Sequence, residues 1–170
     1  MIAALALAVA LGTSPLACPS GAERRGAGPP DGTEEWCERA DPLGRPLREG
    51  PARTWYDGGA PWTEAAYRDG LLEGPFVERH RNGRFARVGA YARGLRVGRW
   101  VVSSEQGSPE EESTWRAGVL DGPFTAWFPS GAKRTEGRHC GGAQCGIWKT
   151  WDESGRLVGS VEYADQGSAP

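Results

Sequence analysis

The stretch that decides the fold is residues 67–83, which read YRDGLLEGPFVERHRNG. An aromatic residue is followed after two residues by Gly70, then by Gly74 and Phe76, and the stretch closes on Gly83. The same spacing returns in residues 115–131, WRAGVLDGPFTAWFPSG. Glycine reaches positive φ at no steric cost, so its regular return marks turns. The stretch therefore predicts one unit of a repeat.

The repeat has a period of 24 residues and continues without insertion over most of the chain. Chance does not keep several columns of residues in register over so long a stretch. Three columns consist of glycines: Gly50, Gly74, Gly98, Gly122 and Gly146; Gly59, Gly83, Gly107, Gly131 and Gly155; and Gly70, Gly94, Gly118 and Gly142.

Aromatic residues keep the same step and predict a ladder of stacked rings that supplies most of the buried area. The third of their columns is interrupted by Arg79 and Ser103. The three columns are Tyr67, Tyr91, Trp115, His139 and Tyr163; Phe76, Trp100, Phe124 and Trp148; and Trp55, Trp127 and Trp151.

The segments between the turns are short and rich in aromatic and β-branched residues, as in residues 76–80 and 100–103, which favours strands. No segment carries a helical apolar period. Two strands of about seven residues and two turns of about four to five fill one period. We therefore expect an all-β fold in which tandem β-hairpin repeats, each one period long, form one elongated antiparallel sheet.

Composition and motifs argue against several classes of protein. The 170 residues include 20 Lys+Arg and 22 Asp+Glu, which lacks the basic excess of a nucleic-acid binder. Two His and one Met leave few parts for metal or catalytic sites. The chain contains no Walker loop, no H-E-x-x-H and no G-x-S-x-G. We expect a protein that is not an enzyme and uses no cofactor or metal.

The N-terminus predicts export. Residues 2–11 are apolar but too few to span a bilayer, which suits a secretory signal over residues 1–22. A buried N-terminal helix is the alternative. Residues 23–44 are then a linker or N-terminal extension, and residues 45–170 are the repeat domain. The expected location is the periplasm, the cell envelope or the extracellular medium.

The end of the export segment has three alternatives. Leu16-Ala17-Cys18 is similar to a bacterial lipobox, so Cys18 would carry a lipid that anchors the chain to a membrane. Cleavage after Ala22 would instead remove that residue, and the third alternative keeps Cys18 unlipidated in the mature chain.

The four cysteines predict disulfides, because an exported chain meets an oxidising compartment. Cys140 and Cys145 flank a glycine-rich turn and form one expected pair. Cys18 and Cys37 form the other, provided that Cys18 survives without lipid. A zinc site that includes His139 and a pair of free thiols are the alternatives at the first position.

Two surface features are candidate binding sites. Seven arginines occur in residues 79–104 without an intervening acidic residue. They predict either a solvated face whose charges pair with the next hairpin or a docking patch for an anionic surface. Trp127, Phe128 and Trp151 belong either to the core ladder or to an exposed strip for a peptide or glycan. The arginines are Arg79, Arg81, Arg84, Arg87, Arg93, Arg96 and Arg99.

The columns resemble those of the MORN-repeat variant family, which includes the YwqK-type antitoxins. The resemblance rests on residues 67–76 and 146–155 and extends over roughly residues 45–167. It implies stacked hairpins that serve as binding or scaffold surfaces for partner proteins or lipids. We expect a non-catalytic exported scaffold that binds an unidentified protein or an anionic envelope component, and no nucleic acid. The alternative is an antitoxin or immunity protein that neutralises a toxin. The oligomeric state stays open, because a sheet with open ends can add strands between chains.

Overall fold

The structure is a computed structural model, which describes residues 15–164. Within this range the chain is all-β, and thirteen antiparallel strands form one open sheet. The predicted fold class is therefore confirmed. The strands are β1 (Glu23–Ala27), β2 (Glu34–Ala40), β3 (Pro46–Trp55), β4 (Pro61–Arg68), β5 (Leu71–Leu72), β6 (Gly74–Arg79), β7 (Phe85–Ala92), β8 (Leu95–Ser103), β9 (Pro109–Arg116), β10 (Val119–Trp127), β11 (Lys133–Cys140), β12 (Ala143–Trp151) and β13 (Leu157–Tyr163).

The strands lie in the sheet in the order in which they occur in the chain. Only β5 departs from this order, because it pairs with β4 alone while β4 also pairs with β6. Packing between strands is confined almost wholly to neighbours in the sheet. Stability must therefore come from each hairpin stacking on the next, as in other repeat proteins.

One kind of turn explains the column of Gly83. The backbone N–H of His80 donates to the carbonyl of Arg84 (2.9 Å), and that of Gly83 donates to the carbonyl of His80 (2.9 Å). Gly83 has a φ of 83°, a conformation that side chains with a Cβ adopt only at a cost. The same pair of hydrogen bonds closes the turns that begin at Tyr56, Ser104, Phe128 and Asp152.

The second kind of turn has only two residues and explains the column of Gly94. Arg93 and Gly94 have φ values of 49° and 78°, the pattern of a type I′ hairpin turn. The N–H of Gly94 also donates to the carbonyl of Leu72 (2.8 Å) in the preceding hairpin. Each tight turn is thereby tied to the repeat before it.

The rings of one column lie flat on the sheet over small residues. A Cβ atom placed on Gly89 would come within 2.2 Å of the Trp100 indole, and one on Gly137 equally close to Trp148. Trp100 is 2% exposed, and its N–H donates to the carbonyl of Ala90 (3.2 Å). The buried rings therefore lie on one face of the sheet, where they cover glycines in the adjacent strand.

Residues 23–44 belong to the sheet, where sequence analysis expected a linker. They form the hairpin β1–β2, which pairs with β3. Cys37 and Trp36 hold this hairpin in place: the Cys37 side chain is fully buried in a disulfide, and a guanidinium from β3 lies 5.0 Å from the centre of the Trp36 ring. The glycine column also extends one step further, since Gly26 lies one period before Gly50 and has a φ of 68°.

Residues 15–22 precede β1, and we call them the N-terminal strap. Cys18 is bonded to Cys37, with their Cα atoms 5.5 Å apart, and Leu16 is only 7% exposed. Pro19 fills the space above Gly50, where a Cβ would come within 2.5 Å of its ring. The strap occupies the last part of the predicted export segment, and residues 1–14 lie outside the described range.

Candidate binding surface

The face opposite the rings carries an apolar row across the middle of the sheet. Val77 is paired with Val88, and Val88 with Val101, in neighbouring strands. Since successive residues of a strand point to opposite sides, these valines face away from Phe76 and Trp100. We call the surface formed by Val77, Val88 and Val101 the valine row. Val77 is buried and Val88 is exposed, so the row becomes more accessible toward the centre of the sheet.

A shallow cleft lies at the Val77 end of the valine row. It forms where β4 turns from its pairing with β5 to its pairing with β6, and prolines and alanines supply most of its walls. The Glu64 side chain lines it, and its Oε2 is buried with no hydrogen-bond partner. Buried polar atoms are nearly always satisfied, so this oxygen marks a place suited to an added donor. The lining residues are Pro51, Ala52, Arg53, Glu64, Ala65, Ala66, Pro75 and Val77.

An ion pair lies at the other end of the valine row. Val101 is paired with Glu112 in β9, and the Arg99 guanidinium binds both oxygens of that carboxylate, with Nη2 2.7 Å from Oε2. The hydrogen bonds from Arg99 lower the pKa of Glu112, and the carboxylate in turn raises the pKa of Arg99. The valine row is thus an apolar strip bounded by a glutamate at each end, one of them neutralised by an arginine.

Arginines near the turn at residues 80–84 bind neighbouring parts of the chain. Arg79 is buried, with its guanidinium carbon 4.5 Å from the centre of the Phe85 ring. Arg81 lies at the same distance over the Tyr56 ring. Arg84 donates to a backbone carbonyl of the following turn. These contacts bind one hairpin to the next.

The remaining arginines of the predicted patch are spread over both faces and both ends of the strands. Arg87 forms an ion pair with Glu78 (3.1 Å), and Arg96 lies between two rings, 4.4 and 5.0 Å from their centres. Arg93 lies in a two-residue turn at the opposite end of β7 from Arg84. Counting Arg99, six of the seven guanidinium groups contact other parts of the chain. The structure therefore does not gather the seven into one patch, and anion docking stays a prediction.

The predicted ring ladder consists of separate clusters in the structure. Phe76, Tyr91 and Trp100 form one cluster, with ring centres 5.1–5.8 Å apart. Trp100 and Phe124 are both paired with Ser113, which separates the first cluster from the second.

The second cluster repeats the first after two periods of the sequence. Phe124, His139 and Trp148 have ring centres 5.0–5.6 Å apart, and His139 stands where the first cluster has Tyr91. Rings from successive repeats therefore pack in pairs, and the clusters, unlike the single rings, recur every two periods.

Three other members of the ladder, Tyr67, Trp115 and Trp151, contact cations. Arg96 joins Trp115 to Trp100, the Arg48 guanidinium lies 5.3 Å from the centre of the Tyr67 ring, and Lys133 lies over Trp151 at 5.3 Å. Trp127, Phe128 and Trp151 are all half-buried. Tyr163 lies on the last strand and is 38% exposed.

The two predicted disulfides are both present. Cys140–Cys145 brackets the turn formed by Gly141 and Gly142, and its Cα atoms are 5.8 Å apart. Because both sulfur atoms are bonded to each other, His139 lacks the thiolate neighbours that the zinc alternative requires. Burial lowers the pKa of His139, whose Nδ1 is buried without a partner. The residue acts as a ring of the second cluster.

Sequence reasoning missed the valine row and the cleft. Val77 and Val101 are one 24-residue period apart, but their column is not apolar throughout, since its other members are Arg53, Thr125 and Lys149. Val88 belongs to another column, which continues with Glu112 and Glu136. The three valines come together through the register of the strands. The pairing of rings did leave a signal, since the column alternates Phe76, Trp100, Phe124, Trp148.

Comparison with known proteins finds no matching family model and no matching curated protein. The likeness to the MORN-repeat variant family therefore stays a resemblance of motifs. Within residues 15–164, no three or more His, Cys, Asp or Glu side chains are grouped so that they could hold a metal ion. In the same range no helix is long and apolar enough to cross a membrane.

Proposed function

We propose that this chain is an exported, non-catalytic scaffold that binds a partner protein on the valine row. The observation that carries the proposal is an in-register apolar row, exposed at Val88 and half-buried at Val101, on a sheet face that no other described strand packs against. An apolar centre flanked by charged and polar groups is the ordinary anatomy of a protein interface. The unpartnered Glu64 oxygen at the end of the row would accept a hydrogen bond from the partner.

Two disulfides support the exported location, because such bonds persist in oxidising compartments. The arginines support the scaffold through contacts within the chain rather than as an anion-docking patch. Their contacts with rings and carboxylates bind hairpin to hairpin and stiffen the surface that the partner would meet. A preorganised surface loses less entropy when it binds.

Photo-cross-linking in the cells that produce the chain tests the proposal. A photoreactive amino acid in place of Val88 should capture one protein of defined mass, and Val101→Lys in the same chain should abolish the capture. The control is the same amino acid in place of Val102, which follows Val101 in β8 and points to the ring face. Equal capture from both positions, or capture that survives Val101→Lys, would show that the valine row is not the binding surface.

A further inference from the structure

The two edges of the sheet are finished differently. At the N-terminal edge, β1 carries Glu23, Arg24 and Arg25, and charged side chains discourage the addition of further strands. The segment before β1 is also bonded to the neighbouring strand β2 through Cys18–Cys37, and Leu16 in that segment is buried. The other edge is β13, whose exposed residues include Leu157, Val158, Val161 and Tyr163.

Strand β13 occupies the position of an inner strand of the repeat. Among the described residues, however, it has a neighbouring strand on one side only. It pairs with β12, and no described strand pairs with its outer edge. Its counterparts β7, β9 and β11 are each covered by a following strand. Side-chain exposure reflects the lack of a neighbour among the described strands. Tyr163 is 38% exposed, whereas His139, one period earlier, is 9% exposed. Val161 is 52% exposed, whereas Ser113, two periods earlier, is 2% exposed.

The repeat itself shows what fits on such an edge. On β9, the covering strand β10 places Phe124 opposite Ser113 and Leu120 opposite Trp115. Two periods further along the chain, these positions of β9 correspond to Val161 and Tyr163 in β13. An aromatic side chain opposite a β-branched one is a favourable cross-strand pair.

We propose that β13 is a docking edge for an antiparallel strand of a partner protein that carries a large aromatic side chain opposite Val161. The partner's backbone would pair with the outer edge of β13, and its aromatic and apolar side chains would cover Val161 and Tyr163. This is strand addition, a common mode of peptide recognition. Residues 165–170, DQGSAP, contain no aromatic or β-branched side chain that could take this place.

The test uses the full chain and a synthetic peptide with the sequence of residues 118–128, GVLDGPFTAWF, which is the strand that covers β9. Addition of the peptide should shift the NMR amide resonances of residues 157–163. A peptide with Phe124→Ser, and the variant chain Val161→Lys, should each weaken binding by at least about fivefold. Tyr163→Ser provides a second variant that keeps the strand uncharged. Val119→Lys is the matched control, because Val119 is also exposed but lies beside a turn in β10.

Several results would overturn the proposal. Equal affinity for the Val161→Lys and Val119→Lys chains, or shifts confined to the valine row, would place the peptide elsewhere. A chain that is dimeric alone, and becomes monomeric with Val161→Lys, would make a second copy the occupant of the edge. Binding that requires deletion of residues 165–170 would make that segment the occupant. None of these results bears on cross-linking from Val88, which lies in β7 in the middle of the sheet.

Discussion

The indole of Trp100 occupies the space above Gly89 where the side chain of any other residue would begin: a Cβ there would lie 2.2 Å from the indole Cδ2. The same relationship joins Trp148 to Gly137, two periods later in the chain. No second layer packs on the sheet within residues 15–164, so each ring is buried by lying flat on the adjacent strand. These two residue pairs therefore explain how a one-layer sheet has a core.

Gly89→Ala should destabilise the protein by about 1–3 kcal/mol, since the added methyl must displace an indole that is also held by a hydrogen bond. The matched control is Gly159→Ala, where the nearest atom would be 3.9 Å from the new Cβ and the backbone is not in the positive-φ region. Chemical denaturation of the two variants checks the difference. Equal stabilities would mean that the ring does not cover the glycine.

Stability should fall as the pH drops below about 6.5. Burial lowers the pKa of His139 below the ordinary value of 6.5, so the unfolded chain binds a proton over a pH range in which the folded chain does not. The contribution of His139 is complete above pH 6.5 and is lost as the pH falls toward its folded pKa. His139→Tyr introduces the tyrosine found at this position in other repeats, and it should reduce the pH dependence of the free energy of unfolding.

His80→Gln is the control for that titration. His80 lies in a turn, where its Nε2 is 2.8 Å from the carbonyl oxygen of Ser103. Thermal unfolding at several pH values should show the wild-type dependence of stability on pH in this variant. If the pH dependence of stability disappears with His80→Gln but persists with His139→Tyr, its source is His80 and the prediction for His139 is wrong.

Removal of the two disulfides should cost different amounts. Loop-closure entropy predicts a loss of about 3 kcal/mol for the pair Cys18→Ser and Cys37→Ser, which opens a loop between residues 19 apart. The pair Cys140→Ser and Cys145→Ser opens a loop between residues only 5 apart and should cost about 2 kcal/mol. Denaturation under non-reducing conditions measures both. The reverse order would show that the strap contributes little to the fold.

The mature chain should begin before Leu16. Leu16 is buried and Cys18 is bonded to Cys37, and a sulfur in that bond is not available to a lipid. Mass spectrometry of the protein from envelope or medium should find a disulfide-linked peptide that contains Cys18 and Cys37. A lipidated Cys18, or a chain that begins after Ala22, would contradict this expectation and leave Cys37 without its partner.

The turns and hairpins could be predicted from the sequence because their cause is local. Gly83 and Gly94 recur where the backbone takes positive φ, and that need is visible in each repeat by itself. The pair Cys140–Cys145 followed from the same logic, since these residues flank one such turn. The pair Cys18–Cys37 followed instead from the expectation that an exported chain leaves no thiol unpaired. The hairpin β1–β2 was missed because only Gly26 continues the columns there.

The candidate surface could not be predicted in the same way. Its position depends on strand register, which brings Val88 between Val77 and Val101 although Val88 belongs to a different column of the repeat. The arginines show a related limit. Arg96 and Arg99 look alike in the sequence, yet one lies between rings and the other binds a carboxylate on the opposite face. Such partners are decided by neighbouring strands rather than by neighbouring residues.

The central claim is that successive hairpins pair in chain order in a constant register. The structure places five glycines opposite five rings, always at the same separation along the chain: Gly50–Tyr67, Gly74–Tyr91, Gly98–Trp115, Gly122–His139 and Gly146–Tyr163. Nuclear Overhauser effects between the backbone protons of these pairs, measured by NMR, provide the test. We expect cross-strand contacts at all five pairs. Contacts between hairpins that are not consecutive, or the absence of these five, would contradict it.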